Sequence, residues 1–130
     1  MTKRVLCILC GAALLGLLSA AMMPRQAIAQ EQAVTWVLNG SGISGQGTRV
    51  ADYLTSMGFD ASAPPQRPSG PAPAATEVIA YNGAETKFPA SAAFLQRQFG
   101  VKVTPLSDAT QTANFVVVTT KTTAVPSPAP

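Results

Sequence analysis

Apolar positions along the chain follow two patterns, strand-like alternation and helical one-face spacing, and together they predict five strands and two helices. Val34-Thr-Trp-Val-Leu38 alternates and is read as the first strand. Between Gly45 and Met57, Val50, Leu54 and Met57 stand at i, i+4 and i+7 with Ala51 beside them, which marks one face of a helix. Gly58 is its C-terminal stop, and Phe59-Asp60-Ala61 opens the second strand. Pro64 to Pro73 is dense in proline, cannot donate a regular ladder, and predicts a loop over 62–75. Glu77 to Tyr81 is the third strand. A second helix carries Phe88, Ala92, Leu95 and Phe99 on one face, with Pro89 in its first turn and Gly100 as its stop. Val101 to Thr104 alternates as a half-buried strand, whereas Asn114 to Thr119 is apolar on both faces and predicts a central or well-covered one.

The two halves repeat each other. Val37-Leu38-Asn39-Gly40 leads into a helix that stops at Gly58, and Ala80-Tyr81-Asn82-Gly83 leads into one that stops at Gly100. The Asn-Gly to stop-Gly intervals are 18 and 17 residues. Each half therefore reads as a strand-helix-strand unit whose crossover length favours parallel neighbouring strands. The predicted class is α/β, an α+β two-layer sandwich with two βαβ units in a ferredoxin-like βαββαβ order plus a final strand. Such a sandwich leaves one sheet face without helices. Trp36 shares a face with Val34 and Leu38, and whether that face is core or interface stays open, as it does for Tyr81 and Phe115.

The first 29 residues read as a signal peptide. Lys3 and Arg4 precede an apolar run from Val5 to Met23, Pro24 and Arg25 break it, and Ala27-Ile28-Ala29 supplies a small-x-small cleavage site. Cleavage is expected between Ala29 and Gln30. The alternative is an uncleaved anchor, since the run is long enough nearly to span a bilayer. Cys7-Ile8-Leu9 before Cys10 lacks the small residues of a lipoprotein site.

Removing the signal changes the composition. Cys7 and Cys10 leave with it, so no internal disulfide remains for an exported domain. Lys3, Arg4 and Arg25 leave as well, and the balance falls to six basic against six acidic side chains. A basic patch for nucleic acid is unsupported. The domain is expected over 33–121, followed by a disordered tail at 122–130 that ends in Val125-Pro-Ser-Pro-Ala-Pro130.

Gly40, Gly42 and Gly45 spell G-x-G-x-x-G between a strand and a helix, where a dinucleotide loop carries its glycines. Such a site also needs an acid at the far end of the second strand. Asp60 has the spacing but stands at the start of that strand, beside Gly58. A tight turn accounts for the residues directly. Asn39-Gly40 tolerates positive φ, Ser44 is the expected N-cap, and bare Gly45 and Gly47 let the first turn lie close to the sheet. What survives is weak anion binding at the helix start by Asn39, Gly40, Ser41, Gly42, Ser44, Gly45 and Arg49, with Tyr81, Asn82 and Gly83 as an equivalent second loop. Asn39-Gly40-Ser41 also fits the N-glycosylation pattern and is read as an accidental match.

Catalysis finds little material. The chain has no histidine, and the mature part no cysteine, so Ser-His-Asp and Cys-His arrangements and the usual metal ligands are missing. Glu31, Asp52, Asp60, Glu77, Glu85 and Asp108 suggest no carboxylate pair of the kind that hydrolyses glycosides, and read as solvated acids. No catalytic residue, metal or cofactor is expected.

The stretch Val34 to Ser62 resembles the C-terminal domain family of LytR-type cell-envelope proteins. Its signature is an apolar strand, L-N-G-S/N-G, small residues, R-V-A-x-x-L and G-F. It is carried here by Val37, Leu38, Asn39, Gly40, Ser41, Gly42, Gly45, Arg49, Val50, Ala51, Leu54, Gly58 and Phe59. The second half agrees in outline, while Pro64 to Pro73 is richer in proline than the family pattern. In that family the module usually follows a LytR-CpsA-Psr catalytic domain, which a chain of 130 residues has no room to contain. The resemblance implies an exported, non-enzymatic binding module at the periplasm or cell surface of a bacterium. Its partners would be peptidoglycan, an envelope polymer or an envelope protein, and the membrane only if the signal is uncleaved. A structural, self-assembling component is the alternative, and a weak anion- or nucleotide-binding domain the third.

Overall fold

The computed structural model describes residues 24–65 and 73–124. Most of the expected signal peptide, the middle of the expected proline-rich loop and the end of the expected tail lie outside them. Among the described residues four helices and five strands follow in the order α1 (Pro24–Glu31), β1 (Val34–Asn39), α2 (Gln46–Ser56), β2 (Asp60–Ser62), β3 (Glu77–Tyr81), α3 (Ala84–Lys87), α4 (Pro89–Phe99), β4 (Val103–Leu106) and β5 (Phe115–Thr119).

The strands form one sheet in the order β2-β1-β5-β3-β4. β1 pairs in parallel with β2 and with β5, β3 pairs in parallel with β4, and β3 meets β5 antiparallel. The α+β sandwich of two βαβ units is therefore present, with parallel neighbours in each unit. Its order departs from the ferredoxin-like expectation. There the strands of each unit are split by another strand, whereas here β1 lies directly against β2 and β3 directly against β4. The fifth strand is not an addition at the edge. It enters the middle and joins the two units.

The reason lies in its residues. Every position of β5 is buried, and the register seats it between the two most apolar partners, Val37↔Val117 on one side and Val78↔Val117 on the other. A strand apolar on both faces loses least when both of its edges are also covered. The two units then relate as by a half-turn about an axis through β5, which runs parallel to one and antiparallel to the other.

The helices pack on one face. Val37, Val78, Ala80, Phe115 and Val117 from the sheet meet Val50, Ala51 and Leu54 of α2, Ala92 and Leu95 of α4, and Ile28 of α1. Phe94 joins the units, with its ring 5.7 Å from that of Phe59 and 6.3 Å from that of Tyr53. The opposite face holds a smaller cluster. Val116 and Val118 are buried there between half-buried Val34, Trp36, Leu38, Ile79 and Tyr81. Trp36 and Tyr81 thus belong to the helix-free face, and Phe115 to the core.

The second expected helix is α4, with Pro89 in its first turn and Gly100 after its end. The short α3 precedes it as a separate turn, because Phe88 (φ −127°, ψ 67°), the residue before Pro89, is driven out of the helical region. One boundary moved. β4 lies two residues later than the alternation suggested and contains Pro105, which an edge strand tolerates. The stops hold: Gly58 and Gly100 have φ of +108° and +65°.

Candidate functional site

Because β1 and β3 run in opposite directions, the two Asn-Gly turns emerge at opposite ends of the sheet. The loop at Asn39 and the loop at Tyr81, Asn82 and Gly83 are separate features. Asp60 pairs with Val34 at the start of β1, so it too lies at the end remote from the Asn39 loop. The G-x-G-x-x-G therefore lacks the acid that a dinucleotide site requires.

The Asn39 loop is closed on itself. Asn39 Oδ1 accepts from the Ser41 N–H (3.0 Å) and hydroxyl (2.6 Å), Asn39 Nδ2 donates to the Ile43 carbonyl (2.7 Å), and Ser41 Oγ accepts from the Ile43 N–H (2.9 Å). The side chains of Asn39 and Ser41 and the N–H groups of Ser41 and Ile43 are thus engaged within the turn. Positive φ falls at Gly42 (+76°) and Gly45 (+80°), not at Asn39-Gly40. Gly45 is the N-cap in the left-handed region and no side chain caps α2; Ser44 is exposed, which corrects its expected role. A Cβ on Gly47 would make a tight contact, 3.2 Å from Asn39 Cβ, so the bare residue lets this turn lie close to the end of β1. Arg49 is exposed, with Nη1 3.5 Å from the position of a Cβ on Gly45.

Gln46 begins α2 and is 2% exposed. Its Nε2 donates to the Thr120 carbonyl (2.9 Å), while Oε1 has no partner among the described residues. Sequence reasoning missed this tie. Its only trace is a polar residue at the first helical position facing the sheet. Beyond β5, the chain is bound down further than the expected boundary at 121. Thr123 Oγ1 accepts from the Thr120 N–H (2.7 Å) and lies 2.6 Å from Thr76 Oγ1.

These segments surround a shallow depression of about 180 Å³, lined by Gly40, Ser41, Pro73, Ala74, Thr120, Lys121 and Thr122. It sits at the C-terminal ends of β1 and β5. Ser62, level with Trp36, and Glu77, level with Val118, lie at this same end. Small-molecule sites usually enclose about 300–1,000 Å³, so this hollow holds a single small group at most. Of the expected binding residues it takes in Gly40 and Ser41.

At the other end Asn82 has φ +57° and holds a neighbour. Its Nδ2 donates to the Asp108 carbonyl and its Oδ1 accepts from the Asp108 N–H, both at 2.9 Å. The Thr110 hydroxyl (2.7 Å) and N–H (3.0 Å) hold the Asp108 carboxyl below its ordinary range.

The acids do not assemble. Among the described residues no three of His, Cys, Asp or Glu gather as a metal site. Asp52, Asp60 and Glu77 are exposed on α2, β2 and β3. Glu31 holds a helix start. Its Oε2 accepts from the Ala90 N–H (3.0 Å), and its Oε1 from the Ser91 N–H (2.8 Å) and hydroxyl (2.6 Å), so α1 supplies the anion at the start of α4. Ala29 and Gln30, the expected cleavage pair, both lie within α1.

Residues 34–123 match the family model of the LytR C-terminal domain, described as LytR cell envelope-related transcriptional attenuator. No curated protein and no solved structure matches the chain.

Proposed function

The chain belongs to the LytR cell envelope-related C-terminal family, and from that membership we infer that it is an exported envelope module that binds and does not catalyse. The family's domain is an accessory one, associated with the cell envelope. What supports a binding role is the sheet face that no helix among the described residues covers. Trp36, Val116 and Ile79 stand in one row across β1, β5 and β3, with Leu38 and Tyr81 half-buried on either side. An aromatic-bearing apolar face rimmed by Asp60, Ser62 and Glu77 suits stacking on sugar rings or docking of a protein. The depression at the Asn39 loop is too small to be the principal site.

The partner we favour is peptidoglycan or an envelope polymer bound to it. Purified peptidoglycan at low salt should retain the exported protein, and Trp36→Ala should lower the retained fraction several-fold. No retention sinks the polymer reading and leaves an envelope protein as partner. Release of soluble glycan fragments, lost in Asp52→Asn, would contradict the absence of catalysis. A second reading, self-assembly through the same face, rests on its apolar rows. Light scattering over a concentration series tests it, and a concentration-independent monomer argues against it.

A further inference from the structure

The segment expected to leave with the signal peptide is built into the core. Ile28 on α1 is 0% exposed and is among the largest fully buried side chains of the molecule. α1 lies so close to the end of α2 that a Cβ on Gly58 would stand 2.8 Å from the Arg25 carbonyl oxygen and 2.9 Å from the Ala29 nitrogen. The Gln32 N–H donates to the Ile28 carbonyl (3.2 Å), which closes the helix, and Glu31 at its end holds the first turn of α4. A cut between Ala29 and Gln30 would pass through this helix. It would remove Ile28 from the core and uncover Gly58, and it would leave Glu31 next to a free terminus with no helix to aim it.

We propose that Pro24–Glu31 is a permanent part of the folded domain, that the Ala29–Gln30 bond stays intact, and that the apolar run Val5–Met23 therefore remains attached as a tether in the lipid bilayer. The run has the length that a bilayer-spanning segment needs, about 17–25 residues. Lys3 and Arg4 ahead of it hold the N-terminus on the cytoplasmic side and send the domain across. A peptidase reaching for the small-x-small site in the folded protein would first have to unwind α1 and draw Ile28 out of the core. The tether also keeps the binding face near the membrane, since only α1 and the two residues after it separate the apolar run from the first strand. This inference draws on the envelope reading only for the side of the membrane on which the domain lies.

The full chain with a C-terminal tag, produced in an exporting bacterium, tests the proposal by intact mass and fractionation. The expected species keeps the apolar run, sediments with membranes, resists a high-salt wash and is released by detergent. A soluble species beginning at Gln30, or any N-terminus that lacks the apolar run, overturns it. A second measurement addresses the helix alone. In the detergent-solubilised full chain, Ile28→Ala should lower the thermal midpoint by about 10 °C, whereas Gln26→Ala at an exposed position of the same helix should leave it within about 2 °C. Equal, small shifts for the two variants overturn the place of α1 in the core.

Discussion

The two halves of this molecule carry the same punctuation and put it to different uses. Both units leave a strand through Asn-Gly and end a helix on a left-handed glycine. In the first, Asn39 braces its own loop from a strand conformation, and Gly58 is bare because another helix lies on it. In the second, Asn82 takes positive φ and staples a different loop, and a Cβ on Gly100 would meet nothing within 4 Å. Repetition in sequence reports a repeated backbone path. It does not report repeated contacts, because β5 and α1 sit beside the two units differently.

The stops should separate most. Gly58→Ala adds a methyl that meets backbone at 2.8 Å as well as a strained φ, and is expected to cost about 3 kcal/mol or more. Gly100→Ala carries only the strain of a left-handed residue, about 1 kcal/mol. Urea unfolding of both variants checks this, and equal costs would remove α1 from the explanation of Gly58.

The helix starts come next. Glu31→Ala leaves the first N–H groups of α4 without their carboxylate and should cost about 2 kcal/mol. Ser44→Ala, at a start where no side chain caps, should stay within about 0.5 kcal/mol. A loss at Ser44 as large as that at Glu31 would show capping that the geometry lacks.

A finer contrast separates the asparagines. Ala at either position should cost about 1–2 kcal/mol in lost hydrogen bonds. Glycine should recover part of that cost at Asn82, where φ is +57°, and none at Asn39. The smallest effect concerns acid. Asp108 has a lowered pKa through the Thr110 hydroxyl and then its N–H, so its contribution is complete above the ordinary value of 3.8 and is lost as pH falls through the lower folded value. The Thr110 amide should lose protection relative to its intrinsic exchange rate as pH falls through that window in the native protein and not in Asp108→Asn, while the Asn39 loop stays unchanged.

Much of the fold was legible because it rests on local chemistry. Periodicity located both units, and the two-sided apolarity of Phe115–Thr119 marked a central strand. Strand order was not legible, since no single residue of β5 says which edges it will join. The start of α4 was legible from Pro89, while the short α3 ahead of it, four residues long, is too brief to leave a periodic mark. α1 was hidden by a stronger signal, because Ala27-Ile28-Ala29 reads as a processing site before Ile28 can be read as core. At the Asn39 loop the residues were identified and their employment was not. Hydrogen bonds such as that of Gln46 to Thr120 join positions 74 apart and leave no local mark.

The place of α1 in the domain is the claim on which most else depends, and amide hydrogen exchange on the detergent-solubilised full chain tests it most directly. The amides of Ile28, Ala29 and Gln32 are predicted to be protected, and to a similar degree as those in the middle of α4. Exchange of Pro24–Glu31 at the rate of an unstructured peptide, with α4 still protected, would contradict it.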